Sequence, residues 1–307
     1  MGLFTEIETV ARGWRWAHRP LAPATAGSPE GRPREFPTAW ARTPAGRLAR
    51  EMVQRLGLFP LFQLEIDTSV SGVETLDDLK APVIFIANHS SHLDTPAILS
   101  ALPYDWRRRT AVGAAADYFF DVWWRALGTP LAFNTFPVAR SGARRVARLA
   151  RELLDGGWSV VLYPEGTRTP DGWLGPLRAG AAWLAIEAGV PVVPIAIWGS
   201  YQAMPRDRGW PIPGRPPVRV RFGDPLHPAP GERASELVQR LQQALATTLD
   251  EETGTWWEAM RRQARGEAPD HAGPQAAEWR RLWEASRPIS RARSSSPWPN
   301  RRSKDGS

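Results

Sequence analysis

A histidine and an aspartate five positions apart, His89 and Asp94, lie in the segment Asn88-His89-Ser90-Ser91-His92-Leu93-Asp94, directly after the apolar run Val83–Ala87. An aspartate so placed can accept a hydrogen bond from one imidazole nitrogen, fix the tautomer, and leave the other nitrogen to take a proton from a hydroxyl. Imidazole suits that task because its ordinary pKa of about 6.5 leaves it neutral and basic near neutrality. Farther along, Tyr163-Pro164-Glu165-Gly166-Thr167-Arg168 adds a glycine that lets backbone approach a ligand and, in Arg168, a planar permanent cation able to grip phosphate bidentately. A base, its orienter and an anion clamp together suggest acyl transfer onto a phosphate-bearing alcohol.

Each of these residues has a plainer reading beside the chemical one. His89 can be a loop histidine bonded only to backbone. Asp94 or Thr95, ahead of Pro96, has the form of a helix N-cap, a role compatible with orienting His89 if the two carboxylate oxygens divide the work. Glu165 and Arg168 can be a surface ion pair of little worth. His92 is expected to point away from the dyad. Arg140, after Phe136-Pro137-Val138-Ala139, is a second phosphate candidate, and Pro191 and Pro194 either wall an acyl chain or only kink a buried strand. Arg144, Arg145, Arg148 and Arg151 line one helical face, for phosphates or for solvent.

The alternatives to direct transfer lack their motifs. No Gly-x-Ser-x-Gly elbow is present for an acyl-enzyme, and no Walker loop, His-Glu-x-x-His or EF-hand pattern occurs. The sequence has no cysteine, which excludes a thiol nucleophile, disulfides and cysteine-type zinc sites. No metal is expected.

The elements around the motifs alternate as strand and helix. Short apolar runs predict buried strands at Val83–Ala87, Thr110–Ala114, Phe133–Val138, Trp158–Tyr163 and Val190–Trp198, and the alternating Val218, Val220 and Phe222 predict a strand with one wet face. Helices are predicted at Thr95–Leu102, Asp117–Leu127, Gly142–Asp155, Ala179–Ala188 and Glu236–Leu249. This order predicts an α/β fold with a mainly parallel or mixed central sheet flanked by helices on both faces. Ligands in such sheets gather at the carboxyl ends of strands, where His89 and Glu165 fall.

Four segments follow. Residues 1–43, rich in Pro, Gly and Arg, read as a poorly ordered arm. Residues 44–75 open with an amphipathic helix whose Leu48, Met52, Leu56, Phe59 and Phe62 recur at helical steps, either lying in a lipid headgroup layer or packing on the protein's own core. Residues 76–250 form the catalytic domain, and 251–307 a Trp- and Arg-rich helical tail with a disordered end. The net charge is +7 over 307 residues and almost every cation is arginine, a balance that favours anionic partners such as lipid headgroups. No RRM, KH or helix-turn-helix pattern supports nucleic acid as a partner. No signal peptide or membrane-spanning run is apparent, so membrane contact is expected to be peripheral.

Four blocks in order, His89-x4-Asp94, Phe136–Arg140, Glu165–Arg168 and Val190–Ile195, resemble those of the glycerolipid acyltransferases, with bacterial 1-acyl-glycerol-3-phosphate acyltransferases the nearest likeness. The resemblance covers about Val83 to Phe222 and leaves both ends outside it. It implies a glycerol-3-phosphate acyltransferase-like fold, His89 and Asp94 as the catalytic pair, and glycerol phosphate held by Arg140, Glu165, Gly166, Thr167 and Arg168. Pro191 and Pro194 fall in the fourth block. Arg178 and Gly180 match a further stretch in which the family often has lysine in place of the arginine. The implied donor is acyl-CoA or acyl carrier protein, as co-substrate with no cofactor, and the implied acceptor is lysophosphatidate, with glycerol 3-phosphate, another lysophospholipid or a glycolipid as alternatives. A non-catalytic anionic-lipid binder would keep the fold and lose the chemistry. The implied location is the cytoplasmic face of the cell membrane, following the family's helical docking element ahead of the His-x4-Asp block.

Overall fold

Among the described residues seven strands form one sheet in the order β1-β7-β6-β2-β5-β3-β4. They are β1 Asp67–Ser71, β2 Ile84–Ala87, β3 Thr110–Ala115, β4 Thr135–Val138, β5 Ser159–Leu162, β6 Val192–Trp198 and β7 Pro217–Phe222. Neighbours run parallel except β6 and β7, whose antiparallel pairing reverses β7 and its parallel partner β1. The structure is a computed structural model that describes residues 38–115, 123–138, 143–205, 208–253, 256–267, 271–273 and 279. All of these fall in one unit, Glu35–Arg281.

Alternation along the central strands builds a core on each face. Ile84 and Ile86 of β2, with Val160 and Val192, meet α6 (Ala143–Asp155) through Leu153 and Leu154, α7 (Gly180–Ala188) through Leu184, and α9 (Ala234–Thr253) through Leu237 and Leu241. Phe85 and Ala87, with Val161, Val193 and Ile195, face α2 (Phe59–Glu65) through Phe59 and Phe62, and α3 (Asp94–Ala101) through Ala97, Ile98 and Leu99. Strands buried on both faces read as continuous apolar runs, which is why β2, β5 and β6 were legible. After the short α4, Tyr104–Arg107, the helix predicted at Asp117–Leu127 overlaps α5, Trp123–Phe133, with residues 116–122 outside the described set.

Pro194 interrupts β6 where the ladder is already broken. Between the Val192–Leu226 bridge and the Ile195–Phe222 pair, the returning chain carries one extra residue, and Gly223 donates its N–H to the Pro194 carbonyl. A proline without an N–H fits such a bulge.

The segment 44–75 divides differently from the sequence reading. Helix occupies only α1 (Pro44–Val53), a π-turn at Gln54–Leu58, and α2. β1 then pairs in register with β7 from Asp67↔Pro217 to Ser71↔Arg221, so it belongs to the sheet. Its sequence, Asp-Thr-Ser-Val-Ser, has no apolar run or alternation to betray an edge strand.

The π-turn also splits the predicted apolar stripe. Each i→i+5 turn inserts one residue into the helical phase, so Phe59 and Phe62 turn into the core while Leu48, Met52 and Leu56 stay outside, 65 %, 54 % and 76 % exposed. The inward side of α1 is polar. Arg50, 4 % exposed, donates to the Ala41 carbonyl at 2.8 Å, and Gln54 donates to the Ala132 carbonyl at 2.8 Å. Burial together with the charges of Arg42 and Arg47 lowers the Arg50 pKa to about 10, which leaves it charged near neutrality. α1 therefore buries its polar side and presents its apolar one outward, the reverse of an ordinary surface helix.

α9 is followed by α10, Trp256–Arg265, tied back by Arg262 to Asp250. Of the poorly ordered arm expected over residues 1–43, the last part is instead built in, with a 3-10 turn at Ala39–Arg42 that buries Ala41; residues 1–37, the Leu282 and Trp283 stripe, and Ser294–Ser307 lie outside the described residues. No helix among the described residues is long and apolar enough to cross a membrane.

Candidate active site

The loop from β2 to α3 is held from several sides before His89 makes any contact of its own. Asn88 clamps the ends of β2 and β6, its side-chain amide donating to the Ile197 carbonyl at 2.9 Å while its oxygen accepts from the Ile197 N–H at 2.8 Å. Ser90 Oγ meets Ser200 Oγ at 2.9 Å in α8, Ser200–Ala203, and Ser91 Oγ donates to the Met204 carbonyl at 2.7 Å. Thr169 donates its backbone N–H to the His89 carbonyl at 2.8 Å. Short polar side chains of this kind satisfy loop backbone that no ladder can reach.

Within that frame His89 Nδ1 lies 2.8 Å from Asp94 Oδ2, with the His89 side chain 19 % exposed and Asp94 fully buried. A carboxylate oxygen accepts, so Nδ1 carries the proton and Nε2 is left as the acceptor. The same Oδ2 also accepts from the backbone N–H groups of Ser90 and Ser91, at 2.8 and 2.9 Å. Asp94 is thus a first-turn residue of α3 whose carboxylate reaches back to the loop. The capping alternative does not occur: Leu93 is the N-cap and no side chain caps the helix.

Tyr163, at the end of β5, stacks on the His89 ring with centroids 4.0 Å apart and planes inclined by 20°. Its hydroxyl is 2.8 Å from Thr95 Oγ1. Burial, and then the charge of Asp94, push the phenol above its usual pKa, so it stays neutral. Glu165 turns inward. One carboxylate oxygen accepts from the His89 N–H at 2.7 Å and the other from the Gly175 N–H at 2.7 Å. Gly166 follows with φ of 79°, and a Cβ there would stand 2.8 Å from Arg178 Nε. Thr167 is exposed and Arg168 half-buried on the same loop.

Arg168 is close enough to bear on His92. Burial, then the charges of Arg168 and His89, hold the His92 pKa down to about 4 against the opposing pull of Asp94. His92 is accordingly neutral near neutrality, beside the dyad and outside it. Arg140 lies outside the described residues. Pro191 and Pro194 are not brought to the dyad: the Pro191 carbonyl accepts from Ile84 N–H at the start of β2, and Pro194 is level with Ile86, whereas His89 follows the far end of that strand. Among the described residues no group of His, Cys, Asp and Glu could hold a metal ion.

The sequence reading passed over Asn88, Ser90, Ser91, Thr95, Tyr163 and Ser200 as working parts. The run of small polar residues around His89 was the available signal for the first three. The stack and the Ser200 contact join segments far apart in the chain.

Residues 67–198 match the acyltransferase family. The chain is 30 % identical over 200 residues to the 1-acyl-sn-glycerol-3-phosphate acyltransferase BAT2, chloroplastic, of Brassica napus, covering 64 % of this chain and 53 % of that protein. It is 35 % identical over 135 residues to the 1-acyl-sn-glycerol-3-phosphate acyltransferase of Pseudomonas aeruginosa, covering 43 % and 51 %. Among solved structures it resembles the 1-acyl-sn-glycerophosphate (LPA) acyltransferase PlsC from Thermotoga maritima, with a TM-score of 0.52 and 26 % identity over 71 % of this chain and 84 % of that one. The chain spans about half the length of these two curated relatives.

Proposed function

From the match of residues 67–198 to the acyltransferase family we propose that the protein moves a fatty acyl group from an acyl thioester to the sn-2 hydroxyl of 1-acylglycerol 3-phosphate, making phosphatidate. The observation that carries this reading is the His89–Asp94 pair at 2.8 Å, at the carboxyl end of β2 and next to the Glu165–Arg168 loop. The relatives that bear the 1-acyl-sn-glycerol-3-phosphate acyltransferase name support the choice of acceptor.

In the proposed reaction His89 Nε2 takes the proton of the acceptor hydroxyl as its oxygen attacks the thioester carbonyl carbon. A carbon–oxygen bond forms and the carbonyl electrons pass to oxygen, where backbone donors stabilise the charge. Collapse breaks the carbon–sulfur bond, and the departing thiolate takes the proton from His89. Asp94 holds the tautomer and offsets the charge of the imidazolium. Arg168 and Arg140 grip the acceptor phosphate, with Gly166 and Thr167 supplying close backbone and a hydroxyl. Glu165 contributes by fixing the His89 and Gly175 amides relative to each other. Holding both substrates in line removes much of the entropic cost of a bimolecular attack. The donor rides on coenzyme A or acyl carrier protein.

The outward apolar face of α1 and α2, flanked by Arg47 and Arg55 and extended by Leu61 and Leu64, supports peripheral docking on an anionic leaflet, the cytoplasmic face of the cell membrane being the proposed site.

The test is thiol release from long-chain acyl-CoA and from acyl carrier protein thioesters, given lysophosphatidate, glycerol 3-phosphate, lysophosphatidylcholine or no acceptor. The expected result is release that depends on lysophosphatidate and disappears in His89→Ala. Release with glycerol 3-phosphate or lysophosphatidylcholine alone would change the acceptor, and persistence in His89→Ala would remove the histidine from the role of base.

A further inference from the structure

Three groups hold His89, and the mechanism above uses two of them. Asp94 holds Nδ1, and Glu165 holds the backbone N–H. The third, the Tyr163 ring, covers one face at 4.0 Å and 20° and is itself pinned through its hydroxyl to Thr95, the residue after Asp94. The tyrosine thus ties the end of β5 to the first turn of α3, the same turn that supplies the carboxylate.

We propose that Tyr163 is a positioning residue for the base: its ring sets the plane of the imidazole so that Nε2 faces the acceptor hydroxyl, and its π face stabilises the imidazolium that forms in the reaction. The geometry gives each half of this a cause. A single hydrogen bond at Nδ1 leaves the ring free to rock about the Nδ1···Oδ2 axis, and a stacked face removes that motion. The electron-rich face of a neutral phenol attracts a cation more than a neutral ring, so the stack strengthens as His89 gains its proton. The Thr95 contact keeps the phenol from sliding off, because both partners of the stack are then referred to α3. The inference rests on the reading of His89 as the base.

Charges around the imidazole also come from Asp94 and His92 on the loop and first turn of α3, and from Glu165 and Arg168 on the loop after β5. All four are kept in the variants that test the idea, so a change in titration reads the stack. Tyr163→Leu removes the ring. Tyr163→Phe keeps it and loses the hydroxyl, and Thr95→Val loses the partner without touching the ring. Replacing Tyr163 by pentafluorophenylalanine keeps the shape of phenylalanine and reverses the charge on its face, which guards against a leucine variant that does not fold.

Tyr163→Leu is expected to lower kcat about three- to ten-fold, the usual scale of an aromatic pair, with the acceptor KM unchanged. The acid limb of the kcat/KM profile, set by the base becoming neutral, should move to lower pH, because His89 loses the partner that favours its charged form. Pentafluorophenylalanine should move that limb the same way relative to Tyr163→Phe. Tyr163→Phe and Thr95→Val should match each other, losing less than Tyr163→Leu and keeping the limb in place. A leucine or pentafluorophenylalanine variant with wild-type kcat and an unmoved limb, measured beside an inactive His89→Ala, overturns the inference alone. An active His89→Ala overturns the reading beneath it.

Discussion

At the scale of single residues the dyad was legible, because a five-residue step after a buried strand brings His89 and Asp94 together through local chain geometry. What each side chain does beyond that depended on packing. Asp94 Oδ2 accepts from His89 and from two backbone amides, so Asp94→Asn must either turn an NH2 toward those donors or present its one carbonyl oxygen without charge. By analogy with tautomer-fixing carboxylates, kcat should fall roughly 10³- to 10⁴-fold, which steady-state thiol release would show, with the acceptor KM little changed. Glu165 was read from its motif as a phosphate-loop residue, and in the structure its two oxygens each take a backbone N–H. Glu165→Gln can satisfy only one of those donors. The unmet amide should cost about 1–3 kcal/mol, seen as a lower midpoint in urea, and kcat should drop while the acceptor KM holds. A rise in KM alone would return Glu165 to the substrate.

His92 adds a pH term of definite sign. Its pKa in the folded protein lies near 4, below the ordinary value of 6.5, so between those values the unfolded chain binds more protons than the native one. Stability contributed by neutral His92 is therefore complete above about pH 6.5 and is lost as the pH falls toward 4. His92→Gln should flatten that slope, and paired urea titrations at pH 7 and pH 5 would reveal it. The slope being equal in both proteins would remove His92 as its source.

At the scale of elements, strands buried on both faces announced themselves, and the helices between them followed from period and from glycine stops. β1 did not, because an edge strand paired on one side needs no apolar face and can be built from Asp, Thr and Ser. The π-turn was equally hidden, since it leaves the helical spacing of apolar residues intact on either side while rotating one part against the other. Gly199 is a third such position. It joins β6 to Ser200, which holds Ser90, and it has φ of 82° with a virtual Cβ only 2.2 Å from the Pro217 carbonyl oxygen. Alanine there meets both a left-handed backbone and a backbone clash. Gly199→Ala should destabilise the fold by at least about 1–3 kcal/mol, the scale of local backbone strain alone. Through Ser200 and Ser90 it should also lower kcat in the protein that remains folded, as melts and rates on one preparation would establish.

At the scale of the whole molecule the proposed contact with lipid falls to the α1–α2 segment. Periodicity left two readings open, docking on lipid or packing on the core: Phe59 and Phe62 pack on the core, while Leu48, Met52, Leu56, Leu61 and Leu64 face outward. The polar groups went inside because Arg50 and Gln54 find carbonyl partners there, an outcome that depends on tertiary neighbours and is absent from helical spacing. Since Leu48, Leu56 and Leu64 are 65 %, 76 % and 67 % exposed, replacing all three by glutamine removes little buried area and should leave the melting midpoint within a degree or two, as surface substitutions generally do. Binding to phosphatidylglycerol vesicles should fall at least ten-fold, because each buried leucine is worth about 1.5–3 kcal/mol and the remaining arginine attraction is screened by salt. Turnover of a short-chain, water-soluble lysophosphatidate should survive in the same variant if this face serves docking alone. If vesicle binding persists, this face is not the one that docks; if turnover of the soluble acceptor fails as well, the α1–α2 segment shapes the site and its outward leucines reach the substrate directly.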